Sequence, residues 1–122
     1  MNVVMIGTGD IAYSHGRAVV KLGGRVTAAY DINRDGLDRY CAEFGSTALE
    51  YDQIEASLAG ADYAVICTPP TKRLVYVEMV LRANVPLYME KPIATSLEDA
   101  EKLKELEKKY DGKIIVGFAH RY

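Results

Sequence analysis

Three kinds of residue in this chain have types and spacing that can do chemistry. They are small residues that expose backbone, a carboxylate at a fixed distance from them, and a lysine locked beside a proline. Gly7, Gly9 and Ala12, in Gly7-Thr8-Gly9-Asp10-Ile11-Ala12, fit the pattern G-x-G-x-x-G/A. The first glycine allows a sharp turn, the second lets backbone approach a pyrophosphate, and the alanine lets the next helix pack closely. The free N–H groups and positive dipole end of that helix would face the phosphates, with Thr8, Asp10 and Ile11 in the same turn. The bare motif also fits a glycine-rich strand–helix turn with no ligand, so its surroundings carry the decision.

Asp31 lies nineteen residues beyond Ala12. A carboxylate there can accept hydrogen bonds from both hydroxyls of an adenosine ribose and repel a 2′-phosphate. Its plainer role is to cap the backbone of Asn33-Arg34. Arg34 pulls the other way, because an arginine just past such a strand accommodates a 2′-phosphate. The balance favours NAD over NADP. Lys91 stands between Glu90 and Pro92. The proline fixes its own φ and restricts the lysine's backbone. An ammonium held there can hydrogen-bond a substrate hydroxyl or help a proton leave during hydride transfer. A solvated loop lysine paired with Glu90 is the alternative.

These residues need elements to hold them. Val3-Val4-Met5-Ile6 has no polar break and reads as a buried parallel strand over about residues 2–6. A helix follows from Asp10 to Leu22 and stops at Gly23-Gly24, with Ile11, His15, Ala18 and Leu22 on its inner face. His15 is thereby expected as a packed histidine rather than a catalyst. Val26 to Tyr30 is the second strand. Asn33 caps a helix whose Leu37, Tyr40, Cys41 and Phe44 repeat at helical spacing up to Gly45. A short third strand is expected near Thr47–Leu49. Asp52 and Glu55 have the spacing of a capping box over a short helix to Gly60.

Tyr63 to Cys67 is the next buried strand, ended by Thr68-Pro69-Pro70. The apolar spacing predicts a helix from Lys72 to Ala83 with Leu74, Val77, Val80 and Leu81 inward, then a strand from Val85 to Met89. Ser96 caps a helix carrying Leu97, Ala100, Leu103, Leu106 and Tyr110 on one stripe, and Lys113 to Val116 is the sixth strand. Strands alternating with amphipathic helices give an α/β fold, a Rossmann-type doubly wound parallel sheet of expected order 3-2-1-4-5-6. The glycine turn, Asp31, Thr68–Pro70, Glu90–Pro92 and His120–Arg121 all follow strand ends. They are therefore expected along one edge of the sheet, where ligands bind in such folds.

Composition narrows the function further. A chain of 122 residues suits one domain, residues 1–122, with no linker, repeat or low-complexity segment in the sequence. With a net charge of −2, it has no electrostatic footprint for nucleic acid or an anionic membrane. No apolar run approaches a transmembrane span, and no leader is expected ahead of the first strand. Cys41 and Cys67 have neither a disulfide framework nor metal-ligand spacing, so free thiols, no metal and a reducing cytoplasmic setting are expected.

The glycine turn, Asp31, Thr68-Pro69-Pro70, Glu90-Lys91-Pro92 and the ending Gly117-Phe118-Ala119-His120-Arg121-Tyr122 together resemble one family. It is the family of glucose–fructose oxidoreductase, inositol dehydrogenase and MocA-type oxidoreductases. The resemblance covers the whole chain and implies NAD(P)-dependent hydride transfer on sugars, cyclitols or related polyols. It implies that Lys91 acts on the substrate hydroxyl, and that Ile11, Thr68-Pro69 and Glu90 lie near the nicotinamide. Many members carry histidine where Lys72-Arg73-Leu74 stands here. Members also continue into a second α/β domain, which supplies most of the substrate pocket, a catalytic aspartate and histidine, and usually the oligomer interface. This chain resembles the cofactor domain alone, and without that second domain no appreciable dehydrogenase activity is expected of it. A stand-alone dinucleotide- or partner-binding module remains open. A methyltransferase-like domain, which also uses a glycine turn and an acid, is disfavoured by Glu90-Lys91-Pro92.

Overall fold

The computed structural model describes residues 1–90, 96–111 and 114–117. Six parallel strands form one sheet of order β3-β2-β1-β4-β5-β6, the order expected from the alternation of elements. They are β1 (Asn2–Ile6), β2 (Arg25–Tyr30), β3 (Thr47–Ala48), β4 (Tyr63–Ile66), β5 (Leu87–Glu90) and β6 (Ile114–Gly117). The helices are α1 (Asp10–Lys21), α2 (Arg34–Phe44), the one-turn α3 (Ile54–Ser57), α4 (Leu74–Arg82) and α5 (Leu97–Tyr110). Because every pairing is parallel, all strand C-termini emerge on one edge.

The central strand shows why the sheet is buried on both faces. Side chains alternate across a strand, so Val4 and Ile6 enter one core with Val77, Val80, Leu81 and Leu103. Val3 and Met5 enter the other, with Ala12, Val19, Leu37 and Tyr40. The caps follow the residue types. The Asn33 side chain accepts from Gly36 N at 3.0 Å, Gly45 ends α2 in the left-handed region, and Ser96 Oγ accepts from Asp99 N at 3.1 Å. Neither Cys41 nor Cys67 forms a disulfide among the described residues. His15 is half-buried and packs edge-on against Tyr88, with ring centroids 5.1 Å apart. No helix among the described residues is long and apolar enough to cross a membrane.

Several expectations are corrected. The buried stripe of α1 is Ala12, Gly16 and Val19, whereas Ile11 and Leu22 are 37% and 79% exposed and Ala18 is also exposed. The reason is close approach: a Cβ on Gly16 would lie 2.6 Å from the Phe44 ring and 2.7 Å from the Tyr40 hydroxyl, so α1 turns its smallest side toward α2. On α5, Leu97 is 76% exposed and Leu103 is the buried anchor. The capping box forms at Glu50 and Gln53, over a 3₁₀ turn at Tyr51–Gln53. Glu55 instead takes a two-point pairing with Arg82, at 2.7 and 3.1 Å. Pro70–Lys72 is a 3₁₀ turn, so α4 starts later than the apolar spacing predicts. Tyr76 and Met79 join its buried side.

Tyr40 ties the helical layer together. It is fully buried, and its hydroxyl donates to the Ala12 carbonyl at 2.9 Å. Burial pushes its phenol well above the ordinary tyrosine range. A raised folded pKa on an acid that is neutral in the folded state stabilises the fold below the unfolded value, about pH 10, and this stabilisation is lost as pH rises beyond it. Tyr40→Phe is expected to cost about 1 kcal/mol at neutral pH and to make the alkaline loss of stability shallower. Urea unfolding of both proteins at neutral pH and just above pH 10 checks this. A mutant with the wild-type midpoint, or with an equally steep alkaline loss, would contradict it.

Candidate functional site

The C-terminal edge of the sheet gathers the turn after β1, the end of β2 and the loop after β4. Gly7 adopts φ 95°, and a Cβ there would sit 2.9 Å from both Cys67 C and Thr68 N. Only glycine fits that conformation and that gap. Its N–H donates to the Tyr30 carbonyl at 2.8 Å, and Cys67 N donates to Ile6 O at 2.7 Å. The turn is thus clamped between β2 and β4. Gly9 is different. Its φ of −73° is open to any residue, and a Cβ there would meet nothing within 4 Å.

Asp31 completes the turn. One carboxylate oxygen accepts from Thr8 N at 2.7 Å and from Thr8 Oγ1 at 2.9 Å, and the other accepts from Asn33 N at 2.8 Å. The capping role weighed against ligand binding is therefore real, and it comes with a brace on the glycine turn that sequence reasoning missed. The threonine hydroxyl between two glycines was the available signal.

Two cavities flank Asp31. One, about 320 Å³, lies on the β4 side, and its walls include Gly7, Gly9, Ile32, Thr68, Pro69 and Tyr76. The other, about 420 Å³, lies on the α2 side and includes Asp10, Tyr13, Asn33 and Arg39. Thr8, Gly9 and Asp31 border both. Of the residues singled out by sequence, the structure therefore brings together Gly7, Thr8, Gly9, Asp10, Asp31, Thr68 and Pro69.

Ile11 stands on the first turn of α1 outside both cavities, and Glu90 ends β5 opposite Gly117. Lys91, Pro92, His120 and Arg121 lie outside the described residues. Arg34 borders neither cavity. It pairs with Glu50 at 2.9 Å and Asp38 at 3.2 Å, and the Glu50 hydrogen bond is the main cause holding its guanidinium above its ordinary value.

Two features of the β4 side were not legible beforehand. Arg73 is only 2% exposed and donates from Nη2 to the Thr68 carbonyl at 2.7 Å, fixing the loop. The Tyr76 ring packs tilted against Tyr30 at 6.0 Å and edge-on to Tyr51 at 6.3 Å. Burial, ahead of its tyrosine neighbours, pushes its phenol up to about 12. Thr68 Oγ1 is buried with no hydrogen-bond partner among the described residues.

A glycine with no structural need for being glycine, a bounded cleft and an orphaned hydroxyl fit a dinucleotide. Residues 1–118 match the model of the GFO/IDH/MocA oxidoreductase family, NAD-binding Rossmann fold. The chain belongs to this family. It is 30% identical to inositol 2-dehydrogenase of Cereibacter sphaeroides, covering 100% of this chain and 37% of the relative. It is 31% identical to inositol 2-dehydrogenase of Paracoccus denitrificans, over 100% and 38%. An oxidoreductase from Agrobacterium radiobacter, solved with NAD+, L-tartaric acid and magnesium, superposes with TM-score 0.86 at 25% identity, over 99% of this chain and 36% of that one. The fold is also that of scyllo-inositol dehydrogenase from Lactobacillus casei, with TM-score 0.83 at 21% identity, over 100% and 37%. The chain thus spans little more than a third of the length of the relatives it matches. It is an NAD-binding Rossmann domain of this family.

Asp31→Ala removes three accepted hydrogen bonds. Bonds to a charged group are worth about 1.5–3 kcal/mol each when buried, and this site is half-exposed. The variant is expected to lose roughly 1–3 kcal/mol of stability and to bind NAD more weakly, with a narrower preference over NADP. Denaturant unfolding and cofactor titration measure the two effects. An unchanged unfolding midpoint would contradict the brace.

Proposed function

We propose that this chain is the cofactor part of a dehydrogenase that moves a hydride between nicotinamide and a carbinol carbon of an inositol, sugar or related polyol. The observation that carries the reading is Gly9. Neither its backbone nor its surroundings require glycine, so the missing side chain serves something that approaches from outside. NAD, when bound, supplies the hydride acceptor. The backbone N–H groups of Gly9, Asp10 and the start of α1 receive its pyrophosphate beside Thr8, and Asp31 accepts from the adenosine ribose with oxygens already oriented by Thr8 and Asn33. Ile32, Pro69 and Tyr76 offer the apolar wall on the β4 side. Thr68, Pro69, Ile11 and Glu90 belong to the nicotinamide end, and Lys91 holds or moves the proton of the substrate hydroxyl.

Residues 1–122 act as a single cofactor domain in this reading, and the wall facing the nicotinamide comes from outside the chain. Hydride transfer needs the carbinol carbon within about 3–3.5 Å of its acceptor, and one wall does not impose that. The test is titration with NADH, with S-adenosylmethionine as the control, followed by an assay of NADH formation on myo-inositol and simple sugars. NADH binding, no response to S-adenosylmethionine and no turnover are the expected results. Turnover that disappears in Lys91→Ala would overturn the single-domain reading, and failure to bind NADH would overturn the cofactor reading.

A further inference from the structure

Resting on the NAD-binding reading, we infer that Arg39, and not Arg34, is the cation that sets how strongly this chain discriminates against a phosphate on the adenosine ribose. The carboxylate of Asp31 is shared by both cavities, as are Thr8 and Gly9. A ribose bound by Asp31 therefore has the 420 Å³ cavity on its α2 side, and a group added to the ribose 2′ oxygen has that space to enter. Arg39 lines that space and Arg34 does not. Among the described residues no carboxylate lies within 4.0 Å of the Arg39 guanidinium, whereas Arg34 is engaged by Glu50 at 2.9 Å and Asp38 at 3.2 Å. Arg34 would have to give up both pairings to reach a phosphate, while Arg39 gives up none.

The opposing charges are in the same cavity. Asp10 and Asp31 line it with Arg39, so two carboxylates face one guanidinium and the balance is against a phosphate dianion. Arg39 is the counterweight that keeps the penalty from being larger. Tyr13, which also lines the cavity, is held by ring contacts at 4.9 Å with Tyr40 and 5.8 Å with Phe44.

The test is equilibrium titration of the whole chain with NADH and NADPH. Arg39→Ala is expected to lower the NADPH-to-NADH affinity ratio by about tenfold, the scale of one charge-assisted hydrogen bond, with NADH affinity itself little changed. Arg39→Lys is expected to recover part of the loss, and Arg34→Ala to leave the ratio where it was. Asp31→Ser is expected to raise the ratio, and adding Arg39→Ala to reverse that gain. The single Arg39 variants alter only an exposed side chain, so they decide the matter even if Asp31→Ser folds poorly. A ratio that follows Arg34, or neither arginine, would overturn the inference. Wild-type protein that binds neither nucleotide would remove the cofactor reading and this inference with it.

Discussion

The arrangement depends on the absence of a side chain at Gly7. Three strand ends converge there: β1 turns out of the sheet, β2 receives the Gly7 N–H through Tyr30, and the backbone leaving β4 lies 2.9 Å from where a Gly7 Cβ would stand. A methyl group at this point would be strained by its φ and would collide with backbone, which cannot step aside as a side-chain tip can. Gly7 itself lines the cavity on the β4 side of Asp31. Asp31 then fixes the height of the turn by holding Thr8.

The same edge holds residues engaged within the protein beside residues that the described residues leave unengaged. Gly7, Arg73 and the Thr8-facing oxygen of Asp31 are engaged within the protein. Gly9, Thr68 Oγ1 and Arg39 are not engaged by the described residues. A fold that had lost its ligand would have no reason to keep a glycine in an ordinary conformation facing open space, since glycine costs more chain entropy than alanine.

β1 and β4 were legible because they are buried on both faces, which makes each a short apolar run that turn residues punctuate. Alternation and crossover handedness pointed to a doubly wound parallel sheet, and the strand order is the one such dinucleotide-binding sheets take. The facing of α1 was not legible. Its closest approach to α2 is at Ala12 and Gly16, whose smallness leaves no hydrophobic signal, while Ile11 and Leu22 supplied a false stripe. Tyr76 was missed because α4 is buried over a broad arc, so no single stripe stands out. The capping box slipped because Glu50-Tyr51-Asp52-Gln53-Ile54-Glu55 contains two boxes at the same spacing, and the choice between them was made by Arg82 on α4. In the site, residue types placed Gly7, Gly9, Asp31 and Thr68 correctly at one edge. The direction of Arg34 depended on Glu50, sixteen residues away, which no local pattern reveals.

The most direct test of this division compares Gly7→Ala with Gly9→Ala, reading unfolding midpoint and NADH affinity in both. For Gly7→Ala the expected result is a loss of roughly 2–5 kcal/mol of stability, from a left-handed residue and an overpacked contact, together with loss of NADH binding. For Gly9→Ala it is a midpoint at or slightly above that of the wild type, with NADH bound at least about tenfold more weakly. A Gly9→Ala protein that binds NADH as the wild type does would contradict the account, because the one glycine the fold does not need would then not be needed by the ligand either.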